Sequence, residues 1–226
     1  MPALAAPGSL RVTDSVEIST LWLSPPKPTA CFVLAHGAGA GMRQAFLESF
    51  AAALAARDIA TLRYQFPYME RRSRRPDPPP LCHQTVRAAV AEAALRTDAP
   101  LVAGGRSFGG RMTSQAQAQS PLPRVTGLAF LGFPLHPAKK PSHERAEHLA
   151  AIQIPQLFLQ GTRDELAEVT LLRATVAQLG PKATVKWIAE ADHSFHVLAR
   201  SGRTDAMVFD ELIAAFCEWV EAVIGV

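Results

Sequence analysis

Short apolar strands alternate with helices along most of this chain. Apolar runs rich in β-branched or aromatic residues occupy residues 31–35 and 59–64, and turn or polar residues bound each of them. Between them, residues 44–57 are rich in alanine and place large apolar side chains at helical spacing. A strand, a helix and a second strand in this order predict a βαβ unit with parallel strands.

The same alternation continues along the rest of the chain. The further predicted elements are helix 85–96, strand 101–103, a helix from Phe108, strand 125–131, strand 156–159, helix 165–179, strand 184–188 and helix 205–223. Ahead of them, residues 15–23 alternate apolar and polar side chains, which predicts an antiparallel edge strand or hairpin. Repeated βα alternation implies an α/β fold with a mainly parallel sheet that helices cover on both faces.

Three segments are predicted to be loops. Residues 67–81 are dense in arginine and proline, residues 132–142 carry three prolines, and residues 201–204 separate the last two elements. The first two follow strands, so in a parallel sheet they overhang the carboxyl edge, where ligands bind in open α/β sheets. They are therefore candidate pocket walls. No insertion beyond residue 131 is long enough for a large lid domain, which predicts an open pocket.

Composition narrows the possible functions. With 226 residues, of which 48% are hydrophobic and 19% charged, the chain fits one compact domain over residues 1–226. The formal net charge is +3, and much of the basic excess lies in the arginines of residues 71–75. Nucleic-acid binding is not predicted, because the three tryptophans and two tyrosines are scattered singly rather than interleaved with basic residues.

Membrane insertion and metal binding are not predicted either. Residues 1–10 lack the basic start and apolar run of a secretory signal, and no stretch of about 18 apolar residues is present. We therefore expect a cytoplasmic protein that does not contact membranes. Cys31, Cys82 and Cys217 are odd in number and far apart, so neither a disulfide framework nor a zinc site is indicated, and we expect no metal or cofactor. The sequence leaves the oligomeric state open.

The strongest chemical motif is the run Gly105-Arg106-Ser107-Phe108-Gly109, which fits G-x-S-x-G between an apolar strand and a helix. Such a turn presents a nucleophilic serine, and glycines two positions away on each side leave room for it. The following helix begins at Phe108, whose N–H is a candidate oxyanion donor. The alternatives are a glycine-rich structural turn or a phosphate-binding loop, but GxGxxG and GK[ST] are absent.

A second glycine-rich motif, His36-Gly37-Ala38-Gly39-Ala40-Gly41, directly follows the strand at residues 31–35. In hydrolases that use G-x-S-x-G, a second oxyanion donor comes from the loop after the third strand, often marked by His-Gly. The Ala38 N–H is the candidate here. Taken alone, the glycines are better explained by a tight strand-to-helix turn, and it is the serine motif downstream that favours the oxyanion role.

A serine nucleophile needs a base, and the base needs a carboxylate that fixes its tautomer. Asp164 follows the strand at residues 156–159, and His193 follows the strand at residues 184–188. The chain order serine, acid, histidine is that of α/β-hydrolases. The alternative for Asp164 is a helix N-cap at the start of the next predicted helix.

Other residues compete for these roles. His36 and His196 are the credible rivals of His193, and His196 faces the same cleft if a helical turn begins at His193. Glu165 and Asp192 compete with Asp164. We favour Asp164, because Asp192 adjoins the histidine in sequence and is expected to brace its loop instead.

Four motifs give the chain a family resemblance: HGAGAG at 36–41, GRSFGG at 105–110, LQGTRD at 159–164 and ADHSF at 191–195. Over roughly residues 30–223 it resembles the compact, lidless α/β-hydrolases related to dienelactone hydrolase. That enzyme has a cysteine nucleophile where this chain has Ser107, so its lactone substrate is not implied. The runs at 66–68 and 133–135 also resemble a little-characterised bacterial subgroup of the fold.

The residues and the resemblance together predict a serine hydrolase that cleaves small ester or thioester substrates through Ser107, His193 and Asp164. Oxyanion binding is assigned to the backbone N–H groups of Ala38 and Phe108. The predicted substrate contacts are His36, Tyr68, Arg71, Phe133 and His196. The arginines of residues 71–75 either attract an anionic substrate or form a solvated loop. The alternative function is a non-catalytic binding or scaffold protein on the same fold.

Overall fold

A computed structural model describes residues 4–225 of the chain, so the two ends of the predicted 1–226 domain, residues 1–3 and 226, lie outside it. Within the described residues, eight strands form one sheet in the spatial order β1-β2-β4-β3-β5-β6-β7-β8. The strands are β1 (Ala6–Thr13), β2 (Val16–Leu23), β3 (Ala30–Ala35), β4 (Ile59–Tyr64), β5 (Leu101–Arg106), β6 (Val125–Leu131), β7 (Gln156–Gly161) and β8 (Ala183–Ile188).

The pairing directions divide the sheet into two parts. Strands β1 and β2 form an antiparallel hairpin, and β2 pairs antiparallel with β4. Every pairing from β4 across to β8 is parallel. The parallel strands therefore all end at one edge of the sheet, which confirms the predicted α/β fold with its mostly parallel sheet.

Helices cover both faces of the sheet. They are α1 (Ala45–Ala55), α2 (Pro67–Glu70), α3 (Pro79–Arg96), α4 (Phe108–Gln119), α5 (Val169–Leu179) and α6 (Asp205–Ile224), with short 3₁₀ turns at Glu144–Ala151, Gly180–Lys182 and Ala199–Ser201. Apolar side chains of α3, α4 and α5 fill one core layer, and those of α1 and α6 fill the other. Strand β5 faces both layers: Leu101 and Ala103 pack in the first, and Val102 packs in the second.

Three predicted features are corrected. The hairpin has an additional outer strand, β1, that was not predicted. The loop predicted over residues 67–81 is wrong, because it contains α2 and the first turn of α3. Both helices begin with proline, which is preorganised for the first helical position. The helix predicted from residue 165 begins only at Val169.

The connection from β6 to β7 is a loop and the 3₁₀ turn Glu144–Ala151, so residues 4–225 contain no lid domain. The longest helix, α6, is 20 residues long and carries five acidic side chains. Over the described part of the chain, no helix is both long and apolar enough to cross a bilayer.

Candidate active site

Ser107 occupies the turn between β5 and α4. Its φ of 48° and ψ of −116° lie outside the regions that residues with a side chain normally adopt, and such a conformation costs about 1–3 kcal/mol. Two backbone hydrogen bonds hold the turn. The Ser107 N–H donates to the Leu131 carbonyl, and the Arg111 N–H donates to the Ser107 carbonyl, both at 3.1 Å. The serine side chain is left partly exposed at the end of β5.

The glycines on either side of Ser107 are explained by close packing. A Cβ atom at Gly105 would overlap the carbonyl oxygen of Ala35, and one at Gly109 would overlap that of His36. Both obstacles belong to the end of β3 and its loop. Residues without side chains at these two positions therefore allow β3 and its loop to pack directly against the serine turn.

The structure brings His193 and Asp164 to Ser107. His193 Nε2 lies 2.9 Å from Ser107 Oγ, and His193 Nδ1 lies 2.7 Å from Asp164 Oδ2. An ionised carboxylate only accepts hydrogen bonds, so Nδ1 carries the imidazole proton and donates it to Asp164. Nε2 is then free to accept a hydrogen bond from the Ser107 hydroxyl.

The Asp164 carboxylate is fully buried and has further donors. Its Oδ1 accepts a hydrogen bond from the Leu166 N–H at 2.8 Å, and its Oδ2 also accepts one from the Gln160 amide. Hydrogen bonds to the ionised form are strong and fix the orientation of the carboxylate. The side chain of Gln160 is itself held, because its Oε1 accepts from the Phe133 N–H at 2.9 Å.

The alternative in which Asp164 caps a helix is wrong. Helix α5 begins at Val169, five residues later. Its N-cap is Glu168, whose carboxylate accepts hydrogen bonds from the N–H groups of Thr170 and Leu171. Asp164 is therefore not required to cap α5.

The rival residues lie elsewhere. His196 is exposed, and its Nδ1 is hydrogen-bonded to the carboxylate of Asp205 at the start of α6. Asp192 Oδ1 accepts hydrogen bonds from the N–H groups of Ser194 and His196, so it braces the loop that carries His193. Glu165 is exposed to solvent. None of these three side chains makes a hydrogen bond to Ser107 or His193.

The loop after β3 lies beside the serine. A Cβ atom placed on Gly37 would be 3.8 Å from Ser107 Cβ. Within residues 4–225, the N–H groups of Ala38 and Phe108 have no hydrogen-bond partner. The Phe108 N–H is free because it opens helix α4, where the first N–H groups have no partner within the helix. Two unpaired N–H donors thus come from the loops that flank Ser107.

Residues 36–44, here called the oxyanion loop because an oxyanion donor is predicted in it, are attached to the chain that follows β4. The Phe66 N–H donates to His36 Nε2 at 3.0 Å, and the Gly39 N–H donates to the Tyr68 hydroxyl at 3.2 Å. His36 Nδ1 donates to the Gly37 carbonyl, so both ring nitrogens are bonded to the backbone. Burial lowers the pKa of His36 to about 4, which keeps the ring neutral.

The structure does not bring the five predicted substrate contacts together in one cleft. His36, Tyr68 and Phe133 are fully buried, so they support the site from behind instead of presenting a surface to a ligand. Arg71 is more than half exposed and forms an ion pair with Asp77, while His196 is on the surface with Asp205. His36 packs on the rings of Phe66 and Tyr68, and Phe133 packs on that of Phe158, contacts between segments distant in sequence that local patterns do not specify.

Sequence reasoning missed Gln160 and Asp77. Both are buried polar side chains, and the Asp77 carboxylate accepts a hydrogen bond from the Tyr68 N–H at 2.7 Å. The sequence did contain a signal for both residues, because each is a polar residue in a segment where a polar side chain is unexpected. Gln160 is polar inside a buried strand, and Asp77 stands alone in a proline-rich run. A buried polar side chain requires a partner, which points to a structural role.

Two cavities lie near the loop that carries His193, and one of them includes His193 in its lining. A polar cavity of about 360 Å³ is lined by Arg163, Glu165, Leu166, Asp192, His193 and Ser194. A more apolar groove of about 260 Å³ between α1 and α6 includes Phe46, Ser194, Phe195 and Phe209. In the part of the chain that is described, no three His, Cys, Asp or Glu side chains are placed to hold a metal ion.

The fold is similar to several solved structures. The lidless serine hydrolase XC6422 from Xanthomonas campestris has a TM-score of 0.74 and 19% identity, covering 97% of this chain and 96% of that one. A dienelactone hydrolase from Anabaena variabilis has a TM-score of 0.77 and 18% identity, covering 96% and 99%. Est1E from Butyrivibrio proteoclasticus, solved with ferulic acid bound, has a TM-score of 0.70 and 14% identity, covering 97% and 100%.

These identities are low, so the solved structures establish the likeness of fold and no more. The family model described as an alpha/beta hydrolase domain matches residues 28–221, which spans β3 to α6 and therefore the serine turn, the oxyanion loop and the two loops that carry Asp164 and His193. The chain belongs to the α/β-hydrolase domain family.

Proposed function

We propose that this protein is a serine hydrolase that cleaves small ester or thioester substrates, with Ser107 as nucleophile, His193 as general base and Asp164 as the carboxylate that orients it. The observation that carries this proposal is the unbroken hydrogen-bond chain from Ser107 Oγ to His193 and on to Asp164. The pattern matches what acyl transfer requires of a nucleophile, a base and an orienting acid.

In the first step, Ser107 Oγ attacks the carbonyl carbon while His193 Nε2 takes the hydroxyl proton. The buried Asp164 carboxylate stabilises the imidazolium that forms. Negative charge develops on the substrate oxygen, and the free N–H groups of Ala38 and Phe108 donate hydrogen bonds to it. Each such donor contributes about 2.7–4 kcal/mol to lowering the barrier.

The tetrahedral intermediate collapses when His193 passes its proton to the leaving alcohol or thiol, which leaves an acyl group on Ser107. Water then attacks the acyl-enzyme, with His193 again taking the proton, and the acid product leaves as Ser107 Oγ regains it. The complete cycle consumes only the ester and one water molecule.

Small substrates are supported by the open cleft, since the short β6–β7 connection leaves the serine turn without a domain above it. The binding of ferulic acid by the structurally similar Est1E fits small aromatic or aliphatic esters. Ester and thioester cleavage use the same machinery, so both belong to the proposal.

A fluorophosphonate probe tests the proposal directly, because it labels only an activated serine. We expect labelling of the wild type and none of Ser107→Ala. Ser114→Ala is the matched control: Ser114 also lies in the α4 region and is 2.7 Å from a histidine, His148, but its buried hydroxyl donates to the Arg111 carbonyl. This variant should label normally.

Hydrolysis of p-nitrophenyl acetate and of acetyl thioesters by the same three proteins then measures turnover. Folded wild-type protein that neither labels nor hydrolyses any ester would contradict the proposal. That result would favour a binding or scaffold protein on the hydrolase fold.

A further inference from the structure

A buried cationic side chain directly precedes the nucleophile. Arg106 is the last residue of β5, and only 7% of its surface is exposed. Side chains alternate along a strand, so Arg106 lies on the same face as Val102, which packs in the layer under α1 and α6. Its guanidinium carbon lies 4.9 Å from the centre of the Phe46 ring at the start of α1. Arg106 therefore lies on the α1 and α6 side of Ser107.

The guanidinium of Arg106 has no protein partner. Within residues 4–225 it forms no hydrogen bond and no ion pair, its stacking on Phe46 being its one specific contact. None of its nitrogens is among the fully enclosed polar atoms that lack a partner, so each nitrogen touches solvent. The stem is thus buried, and the charged head, which stacks on Phe46, keeps contact with solvent.

The nearest acidic groups do not neutralise this head. Asp192 and Asp164 both attract the guanidinium, although burial is the larger influence and lowers the pKa of Arg106. Neither carboxylate lies within ion-pair distance of it. Asp192 Oδ1 accepts from two backbone N–H groups, and Asp164 accepts from His193, Leu166 and Gln160. The charge of arginine persists in proteins, so Arg106 is an unmatched cation.

Arg63, a second buried arginine, does have protein partners. It is also buried, at 3% exposure. Its guanidinium donates to the Met42 carbonyl at 3.0 Å and faces the Glu48 carboxylate at 3.7 Å. Arg106 has neither kind of partner, although it is buried almost as deeply. A guanidinium held at the edge of solvent without a protein partner is explained if its partner arrives with the substrate.

We infer that Arg106 binds a carboxylate of the substrate, so that the preferred substrates are esters carrying a carboxylate a few atoms from the scissile carbonyl. The inference rests on the proposed serine-hydrolase function, because it places the anion next to the acylated serine. A guanidinium presents a planar fork of N–H groups that matches a carboxylate. Arg71 is not this site, since it already pairs with Asp77.

Matched pairs of neutral and anionic esters test the inference. For the acyl side, p-nitrophenyl butyrate is compared with mono-p-nitrophenyl succinate. For the leaving-group side, phenyl acetate is compared with 4-acetoxybenzoate. The quantity measured is the ratio of kcat/KM for the anionic ester to that for the neutral one, after subtraction of the rate with Ser107→Ala.

We expect Arg106→Gln to lower this ratio by about 10- to 100-fold for at least one pair, because a hydrogen bond to a charged group is lost. Arg106→Lys keeps the charge without the fork and should lower it less. Arg173→Gln is the matched control, since Arg173 on α5 also stacks on an aromatic ring, that of Trp187 at 4.9 Å, but packs on the opposite face of the sheet from Arg106. It should leave the ratio unchanged.

Equal losses on neutral and anionic esters in Arg106→Gln would overturn the inference, as would a shift in Arg173→Gln as large as that in Arg106→Gln. Fluorophosphonate labelling of Arg106→Gln shows whether its serine turn is intact; if it is not, the same ratio measured for Arg106→Lys decides. If the protein shows Ser107-dependent cleavage but the substitutions at Arg106 leave the ratio unchanged, only this inference is removed. Absence of any Ser107-dependent cleavage removes the proposed function itself.

Discussion

The imidazole of His193 has one ring nitrogen for each of its two neighbours. Asp164 Oδ2 accepts from Nδ1, and the Ser107 hydroxyl donates to Nε2. This arrangement depends on the carboxylate being a pure acceptor, because only then is the proton fixed on Nδ1. Gln160 adds a second constraint, since its amide donates to the same carboxylate oxygen. The identity of one buried carboxylate thus sets which histidine nitrogen is basic.

Replacing that carboxylate by an amide tests the dependence. In Asp164→Asn, the amide N–H₂ can donate to Nδ1, so the imidazole proton moves to Nε2. A protonated Nε2 can no longer accept the proton of the serine hydroxyl. We expect kcat on p-nitrophenyl acetate to fall by about 10⁴-fold, the loss typical of this change in Ser-His-Asp enzymes. Asp205→Asn is the control, because the exposed Asp205 carboxylate is bonded to the His196 ring and the Val197 N–H and makes no hydrogen bond to His193. A variant at position 164 with more than about a tenth of wild-type kcat would contradict this role.

At the scale of elements, the oxyanion loop is positioned by the segment after β4. Its His36 ring and its Gly39 N–H are bonded to Phe66 and Tyr68, at the start of α2. Helix α2 has only four residues, and Asp77 anchors it by accepting from the Tyr68 N–H. The arginine- and proline-rich segment, predicted to form a pocket wall, therefore supports the loop that carries the Ala38 donor.

We expect Tyr68→Phe to reduce kcat about 5- to 10-fold while KM changes little, because the Gly39 N–H loses its acceptor and the Ala38 N–H then serves the transition state less well. The free energy of unfolding should fall by about 1 kcal/mol, as for one neutral hydrogen bond. Steady-state kinetics and urea unfolding measure the two effects. Asp77→Asn, which keeps an oxygen acceptor for the Tyr68 N–H, should affect kcat less. A loss of stability with unchanged kcat would assign Tyr68 a purely structural role.

At the scale of the whole molecule, the parallel sheet explains why residues distant in sequence meet. Ser107 follows β5, Asp164 follows β7 and His193 follows β8, and these strands all end at the same edge. Strand β6 lies between β5 and β7 and ends at Leu131, and a Cβ atom on the next residue, Gly132, would be 3.5 Å from the His193 ring. The imidazole therefore lies against the end of β6 as it reaches across to the serine.

How an element packs decides whether the sequence predicts it. Strands β4 and β6 were predicted with the observed bounds because they are buried on both faces and form compact apolar runs. Strand β1 was missed because it is an exposed edge strand without an apolar run. The burial of Tyr68 and Phe133 and the partners of Gln160 depend on chain segments far away in sequence, which local patterns do not report.

The two histidines whose pKa burial lowers to about 4, His36 and His148, link the stability of the whole molecule to pH. In the unfolded chain a histidine titrates near 6.5, so below that pH the unfolded state binds a proton that the folded state does not. Stability is therefore full above about pH 6.5 and declines as the pH falls toward 4. His196 acts in the opposite direction, because Asp205 raises its pKa.

For His36, which is fully buried, this linkage corresponds to a loss of about 2 kcal/mol in the free energy of unfolding between about pH 7.5 and about pH 5. His36→Gln replaces the ring by an amide that does not titrate, so the loss on acidification should be smaller by that amount, whatever the variant's stability at neutral pH. Urea unfolding at the two pH values measures the difference. His143→Gln, at an exposed site, should lose as much as the wild type. Equal pH dependence in wild type and His36→Gln would show that the ring is protonated in the folded protein, and the hydrogen bond from the Phe66 N–H would then not hold the oxyanion loop at low pH.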